Sequence, residues 1–179
     1  QKSGWFYDQR TNRDLVIPHL KNKKVLDVFS YMCACGLRAL KAGASSVTCV
    51  DISKHALNTI EKNATLNGMD DLDNERHLEL IEGDAFAILK MLAAEGRKFD
   101  AIIVDPLAFI KRKKDFKQGF DGYKRINQLA MNLLNQDGLL ISLSCSQHLG
   151  ADQLQNVLIK AAQSAKVQIQ QLKVLNQGE

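Results

Sequence analysis

A strand, a loop and a helix follow one another in Val25-Leu26-Asp27-Val28-Phe29-Ser30-Tyr31-Met32-Cys33-Ala34-Cys35-Gly36. The first five of these residues are apolar except for Asp27, which predicts a short strand inside a core. The helical pattern begins at Gly36 and runs to Ala42, and Gly43 ends it. A strand followed by a helix is the repeating unit of a parallel α/β sheet, so this stretch favours that class of fold.

The same alternation continues along the rest of the chain. Further strands are predicted over residues 47–50, 78–81, 99–104 and 139–144. Helices are predicted from Ser53 to Gly68, from Asp84 to about Ala94, around Leu129, Leu133 and Leu134, and from Ala151 to Ala165. Residues 167–175 alternate in part and predict one more strand at the edge of the sheet. The fold class is therefore α/β, with a doubly wound, mainly parallel sheet and helices on both faces.

Length and composition predict a single domain that spans residues 1–179. The 179 residues, 45% of them hydrophobic, suffice for one core and are few for two. Residues 176–179 directly follow the last predicted strand, which suggests a fragment of a longer protein.

Nothing in the sequence indicates a membrane or secreted protein. No apolar run approaches the roughly 20 residues that cross a bilayer, and the first residues lack the layout of a signal peptide. We therefore expect no membrane contact and a cytoplasmic location. The four cysteines, in a chain of this size, indicate free thiols in a reducing compartment. Cys33-Ala34-Cys35 has no second ligand pair at zinc spacing, so no metal is expected.

Positive charge is concentrated in Lys111-Arg112-Lys113-Lys114, although the net charge of the chain is only +4. Lys117, Lys124 and Arg125 follow it closely. The segment comes shortly after the predicted fourth strand, where its cations could hold phosphates beside a site. A solvated loop kept soluble by lysines is the alternative explanation.

Aspartates stand at or near the ends of the first three predicted strands, at positions 27, 51 and 84. Open α/β sheets bind ligands at the carboxyl edge, where carboxylates accept hydrogen bonds from hydroxyls and amines. Asp51 ends the second strand, the place from which a carboxylate binds both hydroxyls of a ribose. Asp51 and Asp84 could instead start turns or cap helices. The loop 30–36 has one glycine, which disfavours a nicotinamide dinucleotide or ATP.

The predicted fifth strand brings a thiol to the same edge, since Cys145 follows it inside Ser144-Cys145-Ser146-Gln147-His148. Asp105-Pro106 stands at the end of the fourth strand. A thiol and a carboxyl group at one edge are the parts of a covalent catalytic site. The alternative is that Cys145 is a small buried hydrophobe, as most free cysteines are.

Several motifs together resemble one family. They are Gln1-Lys2-Ser3-Gly4-Trp5-Phe6-Tyr7-Asp8-Gln9-Arg10, Val50-Asp51-Ile52-Ser53, Asn63-Ala64-Thr65-Leu66-Asn67-Gly68, Asp105-Pro106-Leu107-Ala108-Phe109 and Ser144-Cys145-Ser146-Gln147-His148. The chain is similar to the catalytic domain of bacterial large-subunit ribosomal RNA cytosine-5 methyltransferases. These are S-adenosylmethionine-dependent enzymes with a Rossmann-like class I fold. The resemblance implies that an RNA-binding PUA domain, usual before the opening motif, is absent here.

The resemblance also implies a cofactor pocket. Residues 1–20 would lead into it, with Asp8-Gln9-Arg10 folded back beside it. The residues that would contact S-adenosylmethionine are Asp27, Phe29 and Tyr31 at its methionine part, Asp51 at its ribose, Asp84 and Ala85 at its adenine, and in addition Ile52, Asp105 and Arg10.

For the reaction, the resemblance implies that Cys145 adds to carbon 6 of cytosine. Asp105 would bind ring nitrogen 3 or the exocyclic amine, a role for which burial against Pro106 and Phe109 would have to desolvate it. His148 or a water would remove the carbon 5 proton. The implied partner is large-subunit ribosomal RNA, and the family pattern alone allows a homodimer.

RNA contacts are expected from two kinds of side chain. The cations Lys111, Arg112, Lys113 and Lys114 would bind phosphates, and Phe109 or Tyr123 would stack on a base, with ordinary core packing as the alternative for both rings.

Two positions depart from the family pattern and leave rival functions open. Cys33 stands where glycine is usual, so it is expected to narrow the pocket or to adopt a strained backbone. Leu107 replaces the second proline after Asp105, with a loss of loop rigidity. The alternatives are an RNA methyltransferase that modifies a guanine nitrogen, a non-catalytic RNA-binding module with a decayed cofactor site, and a small-molecule methyltransferase.

Overall fold

Five parallel strands form one sheet in a computed structural model of the protein, which describes residues 10–69 and 77–175. The spatial order is β3-β2-β1-β4-β5, so the chain changes direction across the sheet between β1 and β4. That reversal creates a crevice at the carboxyl edge, where ligands bind in open α/β sheets. The strands are β1 Lys24–Val28, β2 Ser46–Asp51, β3 His77–Glu82, β4 Phe99–Val104 and β5 Leu134–Ser142.

Helices cover both faces of the sheet, which confirms the predicted fold class. They are α1 Arg10–Val16, α2 Ala34–Lys41, α3 Lys54–Leu66, α4 Ala85–Ala94, α5 Phe116–Met131 and α6 Ala151–Ala165. Apolar residues of α2 and α3 fill the core on one face, and residues of α4 and α5 fill it on the other. The side chain of Ser53 accepts a hydrogen bond from Ala56 N at 3.2 Å and caps α3, as predicted. Within the described residues, no helix is long and apolar enough to span a membrane.

The strand register brings the ends of the central strands level. Val28 of β1 pairs with Val50 of β2 on one side and Val104 of β4 on the other. Val104 in turn pairs with Ser142 of β5. Residues that follow these positions along the chain therefore meet at one edge of the sheet.

The boundary between α5 and β5 differs from the prediction. Helix α5 ends at Met131, and Leu134, predicted to be helical, already pairs with Phe99 in β5. The helical spacing of the leucines was misleading because Leu133 O accepts a hydrogen bond from Phe99 N at 2.9 Å, which starts the strand pairing early. Asp137, with φ of 58°, lies at the irregularity of β5 between its pairings with Phe99 and Ala101.

The strand predicted over residues 167–175 is not present. These residues have no regular secondary structure, and the sheet has five strands within the described ranges. Val167, Ile169, Leu172 and Val174 are exposed. The apolar alternation of this segment was real, but a strand forms only where a neighbouring strand provides hydrogen bonds.

The start of α2 depends on a glycine. Gly36 N donates a hydrogen bond to Asp27 Oδ2 at 3.1 Å, so the helix begins directly against β1. A Cβ atom at position 36 would lie 2.8 Å from Val47 Cγ1 and would also collide with Cys33 Sγ. Only glycine allows this close approach of helix and strand.

Asp27 is a carboxyl group inside the core. It is 3% exposed, and burial raises its pKa to about 8. The hydrogen bond from Gly36 opposes this rise, whereas the charges of Asp105 and Asp51 add to it. The folded protein therefore keeps a proton on Asp27 at pH values at which the unfolded chain has lost it.

We expect Gly36→Ala to lower the free energy of unfolding by about 1–3 kcal/mol, because the new methyl group overfills the contact between α2 and β2. Denaturant unfolding measures this. Gly150→Ala is the control, since a Cβ there meets nothing within 4 Å; it should cost less than about 1 kcal/mol. Equal stability of wild type and Gly36→Ala would show that the described approach of α2 to β1 is wrong.

The stability of the protein should fall as pH rises from 6 to 8.5. Asp27 stabilises the fold fully below its unfolded pKa of about 3.9, and this contribution is lost as pH rises through about 8. The loss should be on the order of 1–3 kcal/mol. Unfolding curves at several pH values test it, with Asp27→Asn as comparison, because the amide stays neutral. If the two proteins show the same pH dependence, Asp27 is not the titrating group.

Candidate functional site

Asp51 lies at the carboxyl edge of β2 and organises two chain segments. Its Oδ2 accepts a hydrogen bond from Tyr31 N at 2.9 Å, and its Oδ1 accepts one from Ser53 N at 2.8 Å. The carboxylate thus connects the loop after β1 to the start of α3. Each oxygen keeps a lone pair for a further donor, such as a ligand hydroxyl.

The loop after β1 has an unusual backbone. Phe29, Tyr31 and Cys33 have φ of 62°, 49° and 54°, in the left-handed region that non-glycine residues avoid. Each such residue costs about 1–2 kcal/mol, which packing elsewhere must offset. The predicted strained conformation at Cys33 is therefore confirmed. Backbone strain of this kind concentrates at ligand sites.

A disulfide joins Cys33 to Cys49, so the prediction of four free thiols is wrong for these two residues. Their Cα atoms lie 6.6 Å apart, because the left-handed turn at Cys33 carries the loop over β2. Cys35 and Cys145 are free. The donor atoms of Asp27, Cys33 and Cys49 lie within 4.8 Å of one another, but sulfurs joined in a disulfide are not thiolate ligands.

Asp84 and Ala85, the two residues predicted at the adenine, differ from each other in exposure. Asp84 is exposed and caps α4, with its Oδ1 3.0 Å from Ala87 N. Ala85 is buried in the core beside it. Ile52, directly after Asp51, is 73% exposed and offers an apolar surface at the same edge. Helix capping, the alternative for Asp84, is thus observed, and it leaves one carboxylate oxygen for other donors.

Cys145 is exposed at the carboxyl edge, three residues beyond the end of β5. This excludes the alternative of a small buried hydrophobe. Its thiol donates a weak hydrogen bond to Pro106 O at 3.5 Å, which brings together the segments that follow β4 and β5. Partial burial of the sulfur, and to a lesser degree the charge of Asp105, raises the pKa of the Cys145 thiol. A hydrogen bond from the backbone of Ala108 opposes that rise.

Asp105 is exposed, so the expected desolvation of this carboxyl group by Pro106 and Phe109 is not observed. Pro106, the next residue, is buried. The backbone N of Asp105 donates to Val28 O at 3.3 Å, which keeps the residue next to β1. Leu107 is 81% exposed and makes no core contact that would replace the rigidity of a second proline.

A buried network of hydroxyl groups fixes the segment around Cys145. The hydroxyl oxygens of Tyr123 and Ser146 lie 2.8 Å apart, and Ser144 Oγ donates to Tyr123 Oη at 3.1 Å. Ser146 Oγ also accepts a hydrogen bond from Ile110 N at 3.2 Å. The two serines on either side of Cys145 are thus tied to α5 and to the loop after β4.

The prediction that Tyr123 stacks on an RNA base is wrong for this structure. Its side chain is 0% exposed, and its ring packs 4.7 Å from that of Phe109. The sequence had a signal for this: Phe116, Phe120 and Tyr123 stand four and three residues apart on α5, the spacing of one apolar helix face. Phe109 is half-buried and also contacts Phe29 and Phe86.

Two glycines in the middle of α5 allow the loop after β4 to lie on the helix. A Cβ at Gly119 would be 2.8 Å from Phe109 O, and one at Gly122 would be 3.2 Å from the Phe109 ring. Glycine inside a helix costs roughly 0.5–1 kcal/mol, and here the close packing of the loop offsets it. The packing role of these two residues has no local signal in the sequence.

The four predicted cations, Lys111 to Lys114, are exposed. Arg112 binds Asp115 through its Nε at 2.9 Å, so part of its charge is used within the chain. Lys113 lines an open groove of about 510 Å³ together with Phe116, Gln147, His148, Gly150 and Gln153. His148, the predicted base, is half-buried in this groove.

The opening motif is only partly described. Asp8 and Gln9 lie outside the described residues, and Arg10 is the first residue of α1. The end of the segment 1–20 packs against the core. Ile17 and Leu20, in the helical turn after α1, are buried beside α2.

Two curated relatives are similar to almost the whole of this chain. Ribosomal RNA large subunit methyltransferase I of Shewanella denitrificans is 40% identical over 177 residues, which are 99% of this chain and 44% of that protein. The protein of the same name from Aliivibrio fischeri is 38% identical over 169 residues, 94% of this chain and 42% of that protein. The chain thus spans less than half the length of these curated relatives.

Solved structures agree in fold. The crystal structure of SMU.776 complexed with SAH has a TM-score of 0.75 and 26% sequence identity, over 88% of this chain and 40% of that one. The SAM-dependent methyltransferase from Agrobacterium tumefaciens has a TM-score of 0.74 at 23% identity, over 89% of this chain and 51% of that one. A family model described as S-adenosylmethionine-dependent methyltransferase matches residues 1–174. The chain therefore belongs to the S-adenosylmethionine-dependent methyltransferase family.

Proposed function

We propose that the protein transfers a methyl group to carbon 5 of a cytosine in large-subunit ribosomal RNA, with Cys145 as the nucleophile. The names of the relatives support ribosomal RNA as the substrate. The observation that carries the cytosine assignment is the exposed Cys145 thiol, 3.5 Å from Pro106 O and next to the segment of Asp105. Methylation of a guanine nitrogen needs no thiol there.

The edge of the sheet fits S-adenosylmethionine. Asp51 offers acceptors for the ribose hydroxyls, and Ile52 offers an apolar surface for the adenine. Phe29 and Tyr31, in the strained loop, would border the methionine part above Asp27, and Asp84 with Ala85 would lie at the adenine. Arg10 at the start of α1 stays a proposed contact. When bound, S-adenosylmethionine supplies an electrophilic methyl group on its sulfonium.

The chemistry follows from the need to activate carbon 5. The Cys145 thiolate forms a bond to carbon 6, and the electron pair of the C5–C6 double bond makes carbon 5 a nucleophile. Carbon 5 would take the methyl group as the S–CH3 bond breaks, with the electron pair left on the sulfur of S-adenosylhomocysteine. A base then takes the carbon 5 proton. The electrons of that C–H bond restore the double bond and expel the Cys145 sulfur from carbon 6. Asp105 would hydrogen-bond ring nitrogen 3 or the exocyclic amine throughout.

Two groups can serve as that base. His148, half-buried in the groove beyond Cys145, is one, and a water is the other. The raised pKa of Cys145 leaves a small thiolate fraction at neutral pH. The rate of the first step should therefore increase as pH rises, until the thiol is fully ionised.

The exposed cations Lys111 to Lys114 would hold RNA phosphates, and half-buried Phe109 remains a proposed contact for the RNA. A ribosomal RNA substrate implies a cytoplasmic location. Cys33 and Cys49, which form the disulfide, are both buried, and burial limits the access of reductants to their sulfur atoms. A homodimer remains part of the proposal on the family pattern alone.

The wild-type chain, incubated with S-adenosylmethionine and RNA that contains 5-fluorocytosine, should form a covalent adduct. Fluorine replaces the carbon 5 proton, so the sulfur cannot be expelled. Intact-protein mass spectrometry measures the adduct, whose rate of formation should be higher at pH 8.5 than at pH 7.

Cys145→Ala should abolish the adduct, while Cys35→Ala, which removes the other free cysteine, should keep it. Turnover of ordinary RNA that persists in Cys145→Ala would instead support a guanine-nitrogen methyltransferase. Absence of both adduct and S-adenosylmethionine binding in wild type would support a module with a decayed cofactor site.

Tyr123→Phe should lower kcat about 10-fold, because the loss of one hydroxyl removes a hydrogen bond from each of the two serines beside Cys145. The KM for RNA and the affinity for S-adenosylmethionine should not change. Asn127→Ala is the control: Asn127 Nδ2 donates to Tyr123 O at 2.8 Å, so this variant weakens α5 and leaves the hydroxyl network intact. If Asn127→Ala lowers kcat to the same degree, Tyr123 only stabilises the fold.

A further inference from the structure

The open groove beyond Cys145 has no role in the reaction described so far, apart from His148. Its volume of about 510 Å³ lies within the range of small-ligand sites. Gln147 and His148, which line it, follow Cys145 in the chain by two and three residues, and Lys113 and Phe116 line the same groove. We propose that this groove, the flanking groove, binds the nucleotide of single-stranded RNA next to the target cytosine. The inference rests on the proposed function.

Phe116 provides a surface for the base of that nucleotide. Its ring is half-buried and packs against Phe120, with ring centroids 6.0 Å apart. Lys160 Nζ lies 5.2 Å from the Phe120 ring. Phe120 therefore supports the ring of Phe116, and Phe116 also lines the groove. Aromatic rings fixed in this way are the usual platforms on which single-stranded bases stack.

The charge of the groove matches a phosphate. Lys113 lines it, and the exposed Lys114 and Lys117 lie beside it in the chain. The nearest carboxylate in sequence, Asp115, binds Arg112 at 2.9 Å, so its charge is largely compensated within the chain. Asp152 stands in the first turn of α6, next to Gln153. The three exposed lysines outnumber these two acids, which favours an anionic ligand such as RNA over a basic peptide.

Two side-chain amides of the groove provide hydrogen-bonding groups for the edge of a base. Gln153 Oε1 accepts a hydrogen bond from Gly150 N at 2.9 Å, which fixes the amide and leaves its Nε2 as a donor. Gln147 is exposed and carries both a donor and an acceptor. Together with the ring of Phe116, these groups would bind one base by stacking and by hydrogen bonds to its edge. The groove would thereby select the sequence around the target.

Binding of a fluorescein-labelled single-stranded 12-mer RNA of mixed cytosine and uracil tests this with the full 179-residue chain. Phe116→Ala should weaken binding about 10-fold, and Phe116→Tyr should restore it, because the tyrosine ring still stacks. Lys113→Ala should weaken binding and reduce the slope of log affinity against log salt by about 0.7. Lys62→Ala on α3, an exposed cation on the other face of the sheet, is the matched control and should change neither.

A second measurement uses wild type only, in case Phe116→Ala fails to fold. RNA with 5-iodouridine at single positions beside the cytosine is irradiated, and the crosslinked peptide is identified by mass spectrometry. A crosslink within residues 113–120 or 147–153 supports the flanking groove, and crosslinks confined to other segments overturn it.

The outcomes separate the two proposals. A wild-type chain that forms the 5-fluorocytosine adduct, with Phe116→Ala equal to it in RNA affinity, contradicts the groove and leaves the proposed function intact. A wild-type chain that forms no adduct and binds no RNA contradicts both. A groove that binds a protein ligand and no RNA would likewise overturn the inference.

Discussion

The level register of the parallel strands is the constraint on which the site depends. Since Val28, Val50 and Val104 are paired neighbours in β1, β2 and β4, and Ser142 pairs with Val104, the chain leaves four strands at the same height. The strained loop, Asp51, Asp105 and Cys145 then meet without any long-range adjustment. A slip of one residue in any of these strands would exchange the two faces of its side chains and move its site residue away from the edge.

The two halves of the site are also in direct contact. Phe29 belongs to the loop that would border the cofactor, and Phe109 belongs to the loop that follows Asp105. Their rings pack edge to face with centroids 6.2 Å apart. Phe109 in turn rests on Tyr123, which holds the serines beside Cys145. The Phe109 ring thus connects the loop that would border the cofactor with the segment that carries the thiol. A displacement of either segment would therefore move the other through packed side chains.

Much of this arrangement was predictable because strands and their ends have local signals. The apolar stretch around Asp27, the acid at the end of β2, the serine cap of α3 and the thiol after β5 were all placed correctly from the sequence. The exposure of individual side chains was not predictable, because it depends on contacts between segments that are distant in the chain. Asp105, expected to be desolvated by Pro106 and Phe109, is instead exposed.

Other features of the site were missed for the same reason. The Cys33–Cys49 pair forms because a left-handed turn carries one residue over the neighbouring strand. The predicted edge strand at residues 167–175 fails for the opposite reason, since alternation without a partner strand does not make a strand. Tyr123, for which base stacking and core packing were both open, packs in the core, as the aromatic spacing along α5 indicates.

The glycine pair of α5 has a consequence for motion. Gly119 and Gly122 make the first half of this helix intrinsically weak, and the segment that ends at Ile110 stabilises it by lying on it. The segment and α5 stabilise each other, so a displacement of the segment would also destabilise the first half of the helix. We expect the two to open as one cooperative unit, so that their backbone amides exchange with solvent together and more readily than those of β1 or β4.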